Sequence, residues 1–282
     1  MAGLAVGDVV GRRSYGCDIF FRICGCFRKQ GRIWARLKGL DYRLQATAVW
    51  EDLVKIKAEQ LSCYLLDLAQ RTLEQEKKLF RRRQLPGLRG ESTESFGRVG
   101  FLLHLDGDPE YLDLCLTVYR QLGIPCCGYH VEESQQCQRL PELLKRHQPE
   151  MLVLTGHDGL IRKAGDLRKV ENYHNSAAFV SAVQAARQYE KNLDSLVIFA
   201  GACQSHYESL LQAGANFASS PQRVLIHAYD PVFVMEKVAF TSISQAVALP
   251  ELLAGTVTGL AGVGGVETRG KYRLGLPRSP YF

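Results

Sequence analysis

Alternation of apolar runs with helix-like segments limits the fold of this 282-residue chain more than any other feature. Five short runs predict strands, and they read VGFLLHL, PCCGYHV, MLVLTGH, SLVIFAG and RVLIHAY. The segments between them carry apolar residues at helical spacing, which predicts helices over 108–122, 140–147, 176–191 and 204–213. This pattern is typical of a parallel sheet covered by helices on both faces. We therefore predict an α/β fold for residues 96–282.

The first third of the chain has a different pattern. Residues 1–55 contain five short runs rich in β-branched and aromatic residues, separated by turns that contain glycine. They predict a small SH3-like β-barrel. Apolar residues then recur at helical spacing to about residue 83, and a polar, glycine-rich stretch follows up to residue 95. We assign residues 56–95 to a long amphipathic helix and a basic Pro/Gly linker.

Charge and hydropathy exclude several classes of protein. The net charge is +6, and the segment from Lys77 to Arg89 alone holds six basic residues and no acid. Such a short run does not favour a nucleic-acid-binding protein. The longest uncharged stretches, 238–250 and 252–266, are too short to span a bilayer, and the N-terminus lacks the basic start of a secretory signal.

Two residues suited to nucleophilic catalysis follow neighbouring predicted strands. MLVLTG leads into His157, and SLVIFAGA leads into Cys203. Chemistry in open α/β sheets lies just beyond the carboxyl ends of the strands. Cys203 also begins a predicted helix, whose N-terminal dipole would favour the thiolate. A thiolate beside an imidazole is an arrangement that cleaves amide bonds.

These two blocks resemble those of the caspase-like cysteine peptidases, a clan that includes caspases, legumains, gingipains and clostripain. The sequence departs from the clan at Asp158, which separates His157 from Gly159, and at Gly201, where many members have an acid or Gln. A closer resemblance covers nearly the whole chain. HLDGDPEYLDLCLTVYRQLGIP, LVIFAGACQSHYESLLQAGANFASSP and GVETRG are similar to the sporulation-specific YabG peptidase family.

The resemblance implies a caspase-like peptidase domain over residues 96–282. It also implies a cysteine endopeptidase made in the cytoplasm of the mother cell, which becomes associated with the forming spore coat. Its substrates would be spore coat and related spore proteins, cut after Arg or Lys. Cys203 would attack the scissile carbonyl and His157 would protonate the leaving amine. Backbone N–H groups at Gly159 and Ala202 would hold the oxyanion.

A basic substrate side chain needs a carboxylate in its pocket. Asp106 and Asp108 follow the first strand of the predicted sheet, and Asp158 and Asp230 are competitors. We slightly favour Asp106, which is nearer the strand end. The alternative is that Asp106 or Asp108 caps the next helix, a role that Asp108 suits better. Ser219 and Ser220 could pair with the substrate backbone or form an ordinary turn.

A peptidase that cuts after Arg or Lys would find its preferred residues in the basic run from Lys77 to Arg89 of its own chain. We expect self-cleavage next to the linker, at one of Arg81, Arg82, Arg83 or Arg89, although a solvated helix end explains the run equally well. No cofactor is indicated, and no metal, because the nine cysteines lack paired zinc-ligand spacings. His206, three residues after Cys203, is an alternative base. The alternative function is a non-enzymatic spore-assembly scaffold that binds protein or nucleic acid.

Overall fold

The computed structural model describes residues 3–83, 95–161 and 166–279. Two compact units divide the chain, Met1–Lys77 and Lys78–Phe282. The predicted linker and Arg89 lie outside the described residues. None of the helices in the described ranges is long and apolar enough to cross a membrane.

The first unit contains a five-stranded antiparallel sheet, and all five predicted strands are present. In spatial order the strands are β4 (Gln45–Val49), β3 (Arg32–Gly39), β2 (Phe21–Lys29), β1 (Val9–Arg12) and β5 (Leu53–Lys55). A two-residue turn, Gln30-Gly31, joins β2 to β3, and both residues have positive φ, as tight hairpins of this twist require. Apolar side chains fill one face of the sheet, with Val10, Phe21, Ile23 and Leu37 at its centre.

Helix α1 (Ala58–Arg83) follows β5, as the periodicity predicts. The Tyr64 ring packs 4.6 Å from the ring of Phe20. The Tyr64 side chain also hydrogen-bonds Asp41, and burial together with this bond raises the pKa of Tyr64. These contacts hold the first turns of the helix against the sheet. Leu65 and Leu73 of the predicted apolar stripe are nevertheless about half exposed.

The second unit is built on a six-stranded sheet with helices on both faces. Its spatial order is β12 (Val263–Gly265), β11 (Phe217–Ser219), β10 (Val197–Ala200), β9 (Met151–Thr155), β7 (Leu102–Asp106) and β8 (Cys126–His130). Neighbouring strands run parallel except β12, which is antiparallel to β11. A separate antiparallel pair joins β6 (Phe96–Val99) to β13 (Tyr272–Gly275).

The helices complete two apolar cores. They are α2 (Pro109–Gln121), α3 (Glu133–His147), α4 (Ser176–Tyr189), α5 (Tyr207–Gln212), α6 (Asp230–Phe240) and α7 (Leu249–Leu253). Alternate strand residues face opposite sides. Leu102, Met151 and Val197 pack with α2, α6 and α7, whereas Leu103, Leu152 and Ile198 pack with α3, α4 and α5. The predicted α/β class is confirmed.

The fifth predicted strand, RVLIHAY, is wrong. Arg223 has a φ of 56°, and the backbone that follows hydrogen-bonds the Cys203 loop through Val224 and Ile226 instead of forming a strand. The sheet continues instead through β11, which contains Ser219 of the predicted substrate-pairing or turn residues, and through β12. At Gly265 a Cβ atom would lie 2.4 Å from the Phe217 ring, so the close approach of β12 to β11 requires glycine.

Candidate active site

His157 and Cys203 occupy equivalent positions on neighbouring strands. Leu154 of β9 pairs with Ala200 of β10, and each functional residue comes three positions after its member of that pair. Both therefore stand just beyond the carboxyl ends of parallel strands, as predicted. A hydrogen bond joins the two loops directly, because Ser205 Oγ donates to Asp158 Oδ2 at 2.8 Å.

The imidazole of His157 contacts residues that follow β7. Its Nε2 lies 2.9 Å from Oδ2 of Asp108, and its ring meets the Tyr111 ring edge-on, with 5.9 Å between centroids. The His157 backbone N–H donates to Glu133 Oε1 at 2.6 Å, and its carbonyl accepts from Asn175 Nδ2 at 2.8 Å. Hydrogen bonds therefore fix the backbone of His157 on both sides, and the contact at Nε2 fixes its ring.

Asp108 has two partners through two different oxygens. Oδ1 accepts from the backbone N–H groups of Glu110 and Tyr111 and caps α2, while Oδ2 faces His157. The helix-cap alternative weighed for this residue is thus present in the structure. Because the same carboxylate also reaches the imidazole, the start of α2 sets the position of His157.

Asp106, the acid we favoured for the substrate pocket, is fully buried. Its Oδ1 accepts from the backbone N–H of Asp108 at 2.9 Å, and its Oδ2 accepts from Thr155 Oγ1 at 2.8 Å. The Thr155 hydroxyl in turn contacts His104 Nε2 at 2.7 Å. These contacts tie the end of β7 to the end of β9 and leave the carboxylate facing the interior.

Asp158, the residue that departs from the clan's pattern, accepts four hydrogen bonds. Oδ1 accepts from the backbone N–H groups of Gly159 and Asn175, each at 2.8 Å. Oδ2 accepts from Ser176 Oγ at 2.5 Å and from Ser205 Oγ at 2.8 Å. One carboxylate thus connects the His157 loop, the start of α4 and the Cys203 loop.

Cys203 does not begin a helix, so that prediction is wrong. It lies in a turn, and α5 starts only at Tyr207, with His206 as its N-cap. The reason is that Gln204 takes a φ of 55°, which interrupts the helix that the sequence pattern predicts. The helix dipole therefore gives no account of thiolate formation at Cys203.

The thiol of Cys203 is fully buried beneath a neighbouring segment. Its Sγ accepts from the backbone N–H of Ile226 at 3.3 Å and lies 3.7 Å from the Ile226 carbonyl oxygen. The backbone N–H of Gln204 donates to the Val224 carbonyl at 3.1 Å. Residues 224–226, here called the cover segment, thus lie directly against the Cys203 loop.

The two predicted oxyanion donors are already engaged within the chain. The N–H of Gly159 donates to Asp158, and the N–H of Ala202 donates to Ser205 Oγ at 2.9 Å. Either group would have to exchange its partner to bind an oxyanion. The structure places both donors on the two loops that carry His157 and Cys203.

The remaining predicted site residues lie nearby with partners of their own. Ser219 is buried, and its backbone pairs with Val263 of β12. Ser220 Oγ donates to the Val224 carbonyl of the cover segment at 2.8 Å. Asp230 is enclosed at the start of α6 and accepts from the backbone N–H of His227 at 3.0 Å; its burial raises its pKa.

His206 caps α5, since its Nδ1 accepts from the Ser209 N–H at 3.3 Å. Its ring stands edge-on to the Tyr173 ring, with 5.1 Å between centroids. These contacts give it a structural role that the sequence pattern did not separate from that of a base.

Glu133 is the site residue that the sequence analysis missed. Cβ atoms placed on Gly107 and Gly156 would each lie within 2.2 Å of Glu133 Oε1, so its carboxylate fills the space between two strand-end loops. Its position just beyond β8, at the start of α3, is the signal that could have identified it. The same rule that selected His157 applies to this neighbouring strand end.

Among the cysteines, burial raises the pKa of Cys126, and it raises that of Cys127 to about 11. These thiols are poor candidates for a thiolate nucleophile. Within the described ranges, no three His, Cys, Asp or Glu side chains are grouped so as to hold a metal ion.

Two comparisons with known proteins bear on this site. The sequence profile of the family described as YabG peptidase U57 matches residues 5–277. The chain is also 42% identical over 282 residues to the sporulation-specific protease YabG of Bacillus subtilis (strain 168), and the match covers 96% of this chain and 97% of that protein.

Proposed function

Because this chain belongs to the YabG peptidase family and is therefore a sporulation protease, we propose that it is a cysteine endopeptidase with Cys203 and His157 as its dyad. The observation that carries the proposal is the equivalent placement of the two residues beyond paired strands. The Asp158–Ser205 bond between their loops supports it further. The strand order, with five parallel strands and one antiparallel edge, favours a caspase-like fold.

In the proposed reaction, the Cys203 thiolate attacks the scissile carbonyl and forms a thioester. The C–N bond breaks as His157 donates a proton to the departing amine. A water molecule then attacks the thioester and passes a proton to His157, and the carboxylic acid product leaves as the thiolate and the protonated imidazole are restored. Asp108 already engages Nε2, so we assign the proton transfers to Nδ1.

Substrate access requires the cover segment to move. A buried sulfur that accepts from Ile226 N–H cannot reach a scissile carbonyl until residues 224–226 withdraw. We propose that an extended substrate displaces this segment. Ser220 anchors the cover segment by its hydrogen bond to the Val224 carbonyl, and Arg223 in turn donates to the Ser220 carbonyl. The displacement therefore involves the whole loop after β11.

We further propose that the substrates are spore coat and related spore proteins, cut after Arg or Lys, in the mother cell and at the forming coat. Family membership supports protein substrates, and the resemblance implies the finer specificity. Asp106, Asp108, Asp158 and Asp230 remain the predicted pocket acids, although all four are buried.

Self-cleavage near the linker is part of the proposal. Arg81, Arg82 and Arg83 lie in the last turn of α1. Because peptidases bind extended backbone, cleavage there requires this turn to unwind. N-terminal sequencing of the wild type and of Cys203→Ala after incubation tests the idea, which fails if both chains stay intact.

The first unit, by its strand order and the short 3₁₀ turn Trp50–Asp52 before β5, favours an SH3-like barrel.

A fluorogenic peptide with Arg before the reporter amide tests the dyad. We expect Cys203→Ala and His157→Ala to lower kcat/KM by at least about a thousandfold. Cys63→Ala and His130→Ala, which alter an exposed cysteine and an exposed histidine, serve as matched controls and should retain wild-type turnover. Equal turnover by all five proteins would refute the assignment.

A further inference from the structure

The β2–β3 hairpin of the first unit carries a second concentration of positive charge. Residues 19–40 contain six basic residues and no acid. They equal the run at 77–89 in net charge, so the rest of the chain is net acidic. The first unit therefore carries a basic segment on a folded element.

Five of the six are exposed. Three of the five lie on one face of the hairpin and are here called the hairpin cations: Lys29 and Arg32, which are cross-strand partners, and Arg36, four residues further along β3. None of them forms an ion pair with a carboxylate among the residues that the structure describes. Other cations of the same unit do find such partners, since Arg12 pairs with Asp52 at 3.1 Å and Lys55 with Asp8 at 2.7 Å.

The arrangement of the hairpin cations works against the stability of the hairpin. Lys29 and Arg32 are direct cross-strand partners, next to the Gln30-Gly31 turn. Like charges directly opposite each other destabilise an antiparallel pair. A carboxylate between them would turn this repulsion into attraction, so the surface is complementary to an acidic ligand.

Arg36 is held in place for such a ligand. Its guanidinium lies 5.6 Å from the ring centroid of Phe27, and Phe27 pairs directly with Trp34 on the neighbouring strand. A guanidinium fixed over a ring loses less side-chain entropy on binding, and its planar fork matches a carboxylate. We propose that the hairpin cations form a docking surface for an acidic segment of a protein partner.

The same contacts favour a polypeptide over a single-stranded nucleic acid. Nucleic-acid surfaces of this kind use open aromatic faces on which bases stack. Here the Phe27 ring is covered by Arg36, and Trp34 is only partly exposed. An acidic polypeptide needs the cations alone. This inference does not depend on the proposed dyad, because binding can be measured on an inactive chain.

The test uses the full chain with Cys203→Ala and measures fluorescence anisotropy. The probes are a labelled oligoglutamate of eight residues, the length of β3, and an oligothymidylate of equal charge. The test variant replaces the hairpin cations with Gln. A matched control replaces three other exposed cations with Gln, namely Lys57, Arg139 and Lys145.

We expect the peptide to bind, and the hairpin variant to bind it about tenfold more weakly than the matched control. Tighter binding of the oligothymidylate, with loss in the hairpin variant, would overturn the proposal in favour of a nucleic-acid surface. Equal weakening in both variants would overturn it as an effect of net charge alone. Circular dichroism of each variant identifies any loss through unfolding, and in that case the single changes Lys29→Gln and Arg32→Gln repeat the comparison.

Discussion

Substitution of Asp158 separates two functions that the sequence left open for this residue, a pocket acid for a basic substrate and a support for the site. Its carboxylate accepts from two backbone N–H groups and two serine hydroxyls. The hydroxyl hydrogens can rotate, whereas the N–H groups of Gly159 and Asn175 cannot. Asp158→Ala therefore leaves two fixed donors without their acceptor, and Asp158→Asn retains one oxygen for them.

The contacts set the expected magnitudes. A buried donor that loses its acceptor costs about 1–3 kcal/mol, so Asp158→Ala should lower the free energy of unfolding by roughly 2–6 kcal/mol. Asp158→Asn keeps the shape and both backbone bonds, and it should cost about 1–2 kcal/mol. In a unit of this size that smaller loss lowers the Tm by roughly 2–8 °C. The larger loss approaches the whole stability of an ordinary domain.

Asp158→Asn is therefore the variant to assay. We expect a lower Tm and a lower kcat, because the hydrogen bond between the His157 and Cys203 loops loses its charged acceptor. The ratio of kcat/KM for Arg and Leu substrates should stay unchanged. Asp113→Asn, an exposed acid on α2, is the matched control and should leave all three quantities at wild-type values. A variant with wild-type Tm and a collapsed preference for Arg would refute the supporting role and identify Asp158 as the pocket acid.

Three further predictions follow from the same contacts. Asp108→Asn should retain the helix cap and the Tm but lower kcat about tenfold, because the partner of His157 Nε2 loses its charge. Asp108→Ala should in addition lower the free energy of unfolding by about 1 kcal/mol, because the cap is lost. Thermal unfolding and steady-state kinetics of both variants check this prediction. Iodoacetamide should modify the exposed Cys24 and Cys63 before the buried Cys203, which timed mass spectrometry measures, and early labelling of Cys203 would contradict its coverage by residues 224–226. Arg187→Met should lower the Tm clearly with little change in KM. The half-buried guanidinium donates to four backbone carbonyls and to Asn216, all away from His157 and Cys203. An unchanged Tm would show that these hydrogen bonds do not contribute to stability.

Regular elements could be predicted from the sequence because hydrophobic periodicity reports burial directly. MLVLT and VIFA became β9 and β10 as expected, and both are fully buried. The rule that ligands bind beyond parallel strand ends then selected His157 and Cys203 without knowledge of any contact. That rule uses only the order of elements, which the sequence displays.

Short and irregular elements could not be predicted in this way. RVLIHAY has the composition of a strand, yet its backbone hydrogen-bonds the Cys203 loop instead of a neighbouring strand. The three residues of β11 carry too little pattern to outweigh it, and β12 is apolar only at Val263. The turn at Cys203 likewise depends on the positive φ of Gln204, which local composition does not encode. In each case a tertiary contact overrides the local pattern.

The role of each candidate pocket acid could not be predicted from the sequence for the same reason. Four aspartates stand at the ends of predicted strands, and nothing in their local sequence says which carboxylate has donors around it. One donor to Asp158 is the N–H of its neighbour Gly159, but the others come from residues 175, 176 and 205, which are distant in the chain and meet Asp158 only after folding. Asp106 likewise receives Thr155 from a different strand. An acid that accepts several buried hydrogen bonds pays a desolvation cost if it gives them up for a substrate cation. A pocket acid for Arg or Lys must therefore either exchange these partners when the cover segment moves or come from residues around that segment. For this reason the substrate preference of Asp158→Asn tests the pocket role more directly than its kcat does.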